Sequence, residues 1–197
     1  MTSDLLLALW LYALVSSITP GPNNLMLLAS GVNFGFWRTV PHILGITLGH
    51  SFMVFVIGIG LAGAFQRWPV LQTVLTVVSV AYLLWLAWKI AHATPPEPGE
   101  AGGKPLTPLQ AAAFQWVNPK AWTMALGAIT LYAPGTDLRS VLLVVVVFAS
   151  TNLPSVSLWA GMGTALRRVL RDPRWLKPFN WTMALLLVAT LWPVLRG

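Results

Sequence analysis

Six long apolar runs dominate the sequence, and short polar or basic segments separate them. A helix needs about 20 mostly apolar residues to cross a bilayer. The pattern therefore predicts an all-α membrane protein, with one transmembrane domain over residues 1–197 and six transmembrane helices. The predicted spans are residues 5–31, 41–65, 70–91, 109–133, 138–166 and 178–195. Segment 94–108 is rich in Pro, Gly and Glu, and it predicts a loop between two halves of three spans each, residues 1–93 and 109–197.

Proline motifs interrupt the first and fourth spans. The first is Thr19-Pro20-Gly21-Pro22-Asn23-Asn24, and the second is Asn118-Pro119-Lys120. Proline removes a backbone donor and clashes with the preceding helical turn. Inside hydrocarbon, the freed carbonyls must meet protein or a water-filled cavity. The alternative is that both are ordinary proline kinks without a ligand.

Both motifs have the pattern of a helix start. Thr19 and Asn118 are predicted N-caps, and the prolines that follow them lie in first turns, where a missing N–H costs little. Three spans per half is an odd number, so the fourth span runs opposite to the first. This predicts two inverted three-helix repeats whose half-helices enter the membrane from opposite sides. Such helix starts bind anionic substrate groups in secondary transporters.

Several polar residues at membrane depth are candidates for this site. We expect Asn23, Asn24 and Asn118 to bind substrate, together with Asn152 from the fifth span. Lys120 lies roughly 16 Å into the fourth span at ~1.5 Å per residue. A buried ammonium there is a functional candidate, although its side chain could instead reach the interface along its own helix.

Two further features of the second span are a histidine and a pair of glycines. His50 and Lys120 are the candidates for moving a proton, but a packing role for His50 is an equal alternative. Gly45 and Gly49 form a GxxxG pattern, which predicts close helix packing. His42 is expected at the membrane interface.

Composition supports a membrane protein. Of the 197 residues, 56% are hydrophobic and 9% are charged, whereas a soluble domain has about 25% charged residues. The chain has no cysteine, so disulfides and thiolate metal sites are excluded. No Asp or Glu lies within a predicted span, which disfavours sites for hard metal ions. We therefore predict no catalytic residues, no metal site and no cofactor.

The net charge of +7 indicates topology and not nucleic-acid binding, because the basic residues lie between the apolar runs. One side holds Arg38, Lys89, Lys104 and the basic segment 167–177. The other side holds Arg67, Arg139 and Arg196. The excess of positive charge places the first side in the cytoplasm and both termini outside.

The chain resembles the LysE/RhtB family of amino-acid exporters along nearly its full length. The resemblance rests on the Thr19–Asn24 motif, glycines between Gly35 and Gly49, segment 82–89, and the stretch Gln115 to Trp122. It implies six spans and proton-driven export of small amino acids or derivatives, such as homoserine, threonine or cysteine, across the bacterial inner membrane. Ser79 and the polar Thr151-Asn152 pair depart from the pattern.

Other functions remain open on the same scaffold. A metal ion or another small solute could be exported, and a passive channel is a further alternative. An intramembrane enzyme is disfavoured because the spans lack a nucleophile grouped with a base. The expected partners are a small-molecule substrate and the lipid bilayer. Whether the protein is a monomer or a homodimer is open.

Overall fold

A computed structural model describes residues 2–61, 67–68, 70–92, 104–133 and 137–192. Eight α-helices occur in these ranges. They are α1 (Ser3–Ile18), α2 (Pro22–Phe34), α3 (Phe36–Val56), α4 (Val70–Ala91), α5 (Pro108–Gln115), α6 (Pro119–Tyr132), α7 (Leu138–Leu166) and α8 (Pro173–Ala189). A π-helical segment, Ile57–Leu61, continues α3, and a 3-10 turn, Val169–Arg171, precedes α8.

The bounds of two helices agree with the predicted spans. Helices α4 and α7 begin and end at the limits expected for the third and fifth spans. Pro154 lies inside α7, and the helix continues through it. Helix α3 begins five residues before the predicted limit, and α8 begins before Pro178. Residues 94–103 of the predicted loop 94–108 lie outside the described residues, and Pro108 at its end begins α5.

The first proline motif separates α1 from α2 with a bend of 51°. The prediction that Thr19 caps the second helix is wrong, since Thr19 is the C-cap of α1 and its N–H donates to the Val15 carbonyl. Gly21 is the N-cap of α2, and Pro22 is its first residue, so Pro20 lies between the helices. The second proline alone provides the fixed φ that suits a first helical residue.

The second motif separates α5 from α6. Asn118 is the N-cap, as predicted, and its side chain accepts a hydrogen bond from the Lys120 N–H at 3.2 Å. Pro119 is the first residue of α6. Helix α5 has its own capping box, formed by Thr107 and Gln110. Each motif therefore ends one short helix and begins another.

Helix α7 is the centre of the packing. It contacts α1, α2 and α3, while α5 packs on α3 and α4 packs on α8. Small residues permit these approaches: a Cβ at Gly31 or Gly163 would strike backbone of the facing helix, α7 or α2 respectively. Gly45 and Gly49 lie in the same way against α5. Close backbone contact is the usual function of glycine in membrane helices.

Three described helices are long and apolar enough to cross a membrane. They are Phe36–Leu61, Thr73–Ala91 and Leu138–Leu166. The bent pair α1 and α2 would make a fourth crossing if it forms one span. Helices α6 and α8, with 14 and 17 residues, fall below the length of about 20 residues that a single crossing takes.

Candidate functional site

The two proline motifs lie side by side and enclose a small polar cavity, which we call the inner cavity. Its volume is about 20 Å³, which is room for about one water molecule. Its walls come from α1, α2, α3, α6 and α7. They consist of Ser16, Ser17, Gly21, Asn23, Asn24, His50, Asn118, Lys120, Ala121, Met124 and Asn152.

Lys120 joins the two motifs. Its ammonium donates to the Thr19 carbonyl at 2.7 Å, to Thr19 Oγ1 at 2.9 Å and to the Pro20 carbonyl at 3.2 Å. The last carbonyls of a helix lack intrahelical donors, and a cation is favourable at this negative end of the helix dipole. The ammonium therefore lies on the broken first span and does not extend to the interface along its own helix.

Gly21 provides the space for this contact. A Cβ at position 21 would lie 2.5 Å from Cδ of Lys120 and 3.1 Å from its Nζ. The Gly21 backbone is fully extended, a conformation open to any residue. Glycine is therefore needed here for room and not for backbone freedom.

Side chains from other helices satisfy the remaining carbonyls at the end of α1. Asn24 Nδ2 donates to the carbonyls of Ser17 and Thr19, both at 2.8 Å. Trp159 Nε1, from α7, donates to the Ile18 carbonyl at 3.0 Å. Backbone groups freed inside a membrane must find such partners. Asn24 is thus occupied in holding the break, and it is only 3% exposed.

A reciprocal amide pair is the second connection between the motifs. Asn23 Nδ2 donates to Gln115 Oε1 at 2.9 Å, and Gln115 Nε2 donates back to Asn23 Oδ1 at 3.1 Å. Gln115 also donates to the Ala111 carbonyl at 2.9 Å within α5. Gln115 was not among the predicted site residues. A polar amide in an apolar run three residues before Asn118 was the signal that could have identified it.

The two half-helix starts differ in their capping. Asn118 caps α6 with its own side chain, whereas α2 begins at Gly21 without a side-chain cap among the described residues. The first N–H groups of a helix have no intrahelical acceptors. The start of α2 is therefore the better place for an external anion, and Lys120 Nζ lies beside it.

His50 and Asn152 complete the inner cavity from α3 and α7. His50 is 2% exposed and packs edge-on against Phe148 with a ring-centroid distance of 5.3 Å. Its Nε2 has no hydrogen-bond partner in the described part of the chain. Asn152 accepts a hydrogen bond from Thr47 at 3.3 Å.

The predicted site residues divide into two groups. Seven of them line the inner cavity: Gly21, Asn23, Asn24, Asn118, Lys120, Asn152 and His50. Thr19, Pro20, Pro22 and Pro119 shape the breaks without lining it. Ser16, Ser17, Ala121 and Met124 line the cavity but were not predicted, although the two serines lie only two and three residues before Thr19. Within the described ranges, no three His, Asp or Glu side chains are grouped closely enough to hold a metal ion.

Long apolar helices, and two broken helices around a polar cavity, define a multi-pass membrane protein of the transporter class. The chain belongs to the LysE type translocator family, whose model matches residues 14–190. It is therefore a transporter and not an enzyme. The resemblance noted from the two proline motifs is confirmed.

Curated relatives match nearly the whole chain. The cysteine/O-acetylserine efflux proteins of Escherichia coli strain K12 and of Shigella sonnei strain Ss046 are each 34% identical over 191 residues. These matches cover 95% of this chain and 96% of each relative. The protein of the same name from Escherichia coli O139:H28 is 33% identical over the same length. No solved structure matches the chain significantly.

Proposed function

We propose that the protein exports small amino acids or their derivatives from the bacterial cytoplasm, with the proton gradient as its energy source. The substrate class includes cysteine, O-acetylserine, homoserine and threonine. The relatives named for cysteine and O-acetylserine efflux support this class over the full chain length. The observation on which the proposal rests is the inner cavity, where an ammonium and an uncapped helix start lie at the meeting point of two broken spans.

In this mechanism, the substrate carboxylate binds at the start of α2. The N–H groups of the first turn and the Lys120 ammonium together attract it, because both present positive charge. Lys120 then exchanges its bonds to Thr19 and Pro20 for bonds to the carboxylate. Asn118 and Asn152, which also line the cavity, offer amide oxygens to the substrate ammonium.

The inner cavity must enlarge before it can accept an amino acid. Its volume of about 20 Å³ suits one water molecule, and even glycine has five heavy atoms. We infer that the structure represents a closed state between two open ones. Proton coupling is assigned to His50 and Lys120, the titratable side chains that line this cavity in the described part of the chain.

The proposed architecture is six spans arranged as two inverted three-helix repeats. Helix contacts come in exchanged pairs that support it. Helix α1 packs on α7 as α5 packs on α3, and the extensive contact of α2 with α7 has a smaller counterpart between α6 and α3. Helices α4 and α8, which correspond to each other, also pack together. Alternating access would then rock one repeat against the other.

Contacts at one end of the bundle support the proposed topology. A Cβ at Gly35 would lie 3.0 Å from a guanidinium nitrogen of Arg167. The connection between the first and second spans therefore meets the connection between the fifth and sixth spans. His92 and Lys104 flank the connection between the third and fourth spans. They line one cavity together with Phe34, which lies at the connection between the first and second spans. These connections contain most of the basic residues, which supports the proposal that they lie in the cytoplasm and that both termini lie outside.

The test is export from living cells. A bacterial strain without its own cysteine and O-acetylserine exporters would produce the wild-type protein, Lys120→Met or Lys177→Met, at matched membrane levels. Lys177 is an exposed lysine on α8 and serves as the control. We expect extracellular O-acetylserine to rise with wild type and with Lys177→Met. Losing a charge-assisted hydrogen bond of about 1.5–3 kcal/mol should lower export by Lys120→Met about tenfold or more.

Two results would overturn the proposal. One is metal resistance without any amino-acid export, which would indicate a metal exporter. The other is flux that does not saturate and persists without a proton gradient, which would indicate a passive channel.

A further inference from the structure

A second and much larger cavity lies about one helical turn from the inner cavity, and we call it the outer cavity. Its volume is about 510 Å³, within the range of about 300–1,000 Å³ that is usual for small-molecule sites. Its walls come from the second half of α2, the start of α3, the end of α4 and residues 104–106. It lies at the end of the bundle that we place in the cytoplasm.

A buried histidine in its wall lacks a partner. His42 is only 2% exposed, and among the described residues neither of its ring nitrogens has a hydrogen-bond partner. An unpaired buried polar group costs about 1–3 kcal/mol. Such a group in the wall of a roomy cavity indicates that a polar ligand or water completes it. His42 was expected at the membrane interface, and its side chain is buried within the protein.

The described charged side chains of the outer cavity have one sign. Lys89 and Lys104 line it, and none of the described lining residues is acidic. The Lys89 ammonium lies 4.7 Å from the ring centroid of Trp85, which also lines the cavity. The site therefore suits an anionic group attached to a body with some apolar surface.

One face of α2 connects the two cavities. Met26, Ser30 and Asn33 line the outer cavity, and Asn23 lines the inner one. Spacings of three and four residues place all of them on one helix face. The rise from Asn23 to Met26 is about 4.5 Å, so Asn23, whose amide pairs with Gln115, lies about one helical turn from the outer cavity.

We propose that the outer cavity is a second binding site, which captures the carboxylate of a small amino acid before it enters the inner cavity. The proposal rests on the proposed function for the nature of the solute. His42 donates a hydrogen bond to the carboxylate, and Lys89 and Lys104 attract it from the solvent side. The Asn23–Gln115 pair separates this captured solute from the inner cavity.

Labelling of single cysteines tests this site directly, because the chain has no native cysteine. Asn33→Cys is the main reporter, and Ala29→Cys is a second one in case the first does not fold. Trp37→Cys, which is 84% exposed and does not line the cavity, is the control.

The purified protein would be treated with a negatively charged thiol reagent. The probes are O-acetylserine and 2-aminoethyl acetate, its counterpart without a carboxylate; cysteine is unsuitable since it consumes the reagent.

We expect O-acetylserine to slow labelling of the two reporters and not of Trp37→Cys. At ten times its dissociation constant, occupancy of about 90% should slow labelling about tenfold. The amine without a carboxylate should have no effect, and His42→Phe in the Ala29→Cys background should abolish protection.

Three results would overturn the outer site. These are unchanged labelling in the presence of O-acetylserine, equal protection by the amine, and protection by phosphatidylglycerol alone, which would assign the cavity to a lipid headgroup. Unchanged labelling in a protein that still exports O-acetylserine from cells would leave the proposed function intact. Protection in a protein that exports no amino acid would keep the site and overturn the proposed function.

Discussion

The Asn23–Gln115 pair should couple the two broken spans energetically, and the structure allows the magnitude to be worked out. Two hydrogen bonds, of 2.9 and 3.1 Å, join the amides. Interhelical hydrogen bonds in membrane proteins average about 0.6 kcal/mol in double-mutant cycles. The expected coupling free energy is therefore about 1.2 kcal/mol, or about sevenfold in the unfolding equilibrium constant.

The assay is a double-mutant cycle of Asn23→Ala and Gln115→Ala, with unfolding measured in detergent micelles. The bond from Gln115 to the Ala111 carbonyl stays within α5, so its loss appears in both legs of the cycle and cancels. Gln110→Ala is the matched control, because Gln110 bonds to Thr107 in its own capping box. Paired with Asn23→Ala, it should show no coupling. A coupling for Asn23 and Gln115 within the additivity error of about 0.3 kcal/mol would refute the pairing.

Three further predictions follow from single features of the bundle. Gly163→Ala should strongly reduce the amount of folded protein, because the new Cβ would strike the Leu28 carbonyl. The control Gly161→Ala, with no described atom within 4 Å of its Cβ, should be neutral. The yield of detergent-solubilised protein measures both effects. Gly21→Ala should lower export by displacing the Lys120 side chain, but it should cause no further loss in a Lys120→Met background; additive losses would contradict this. In intact cells, a thiol reagent that cannot cross the membrane should leave Trp37→Cys unlabelled, because we place this residue in the cytoplasm. Labelling from outside would reverse the topology.

The sequence predicts the bounds of α4 and α7 best. Each is a long, mostly apolar segment that satisfies its backbone groups as one helix, and α7 continues through Pro154. The positions of both breaks also follow from local chemistry, because proline acts on its own backbone. Asn118 was predicted as an N-cap for the same local reason.

The residues that act across helices could not be predicted in this way. Thr19 is a residue type that favours N-caps, yet it ends α1, and Lys120 from a distant segment binds its carbonyl and hydroxyl. Trp159 satisfies the Ile18 carbonyl from 141 positions away. His42 is near a helix start in the sequence, yet its side chain is buried in the wall of the outer cavity. Such partners are set by tertiary packing.

The small size of the inner cavity has a consequence for when the transporter works. A binding-competent state that is rarely populated weakens the apparent affinity by the fraction in which it occurs. Separating Asn23 from Gln115 alone would require about 1.2 kcal/mol, and each further bond that opens adds to this. Solute at low concentration would then leave the closed state undisturbed. The protein would then export little solute at ordinary cytoplasmic concentrations, and export would rise when the solute accumulates.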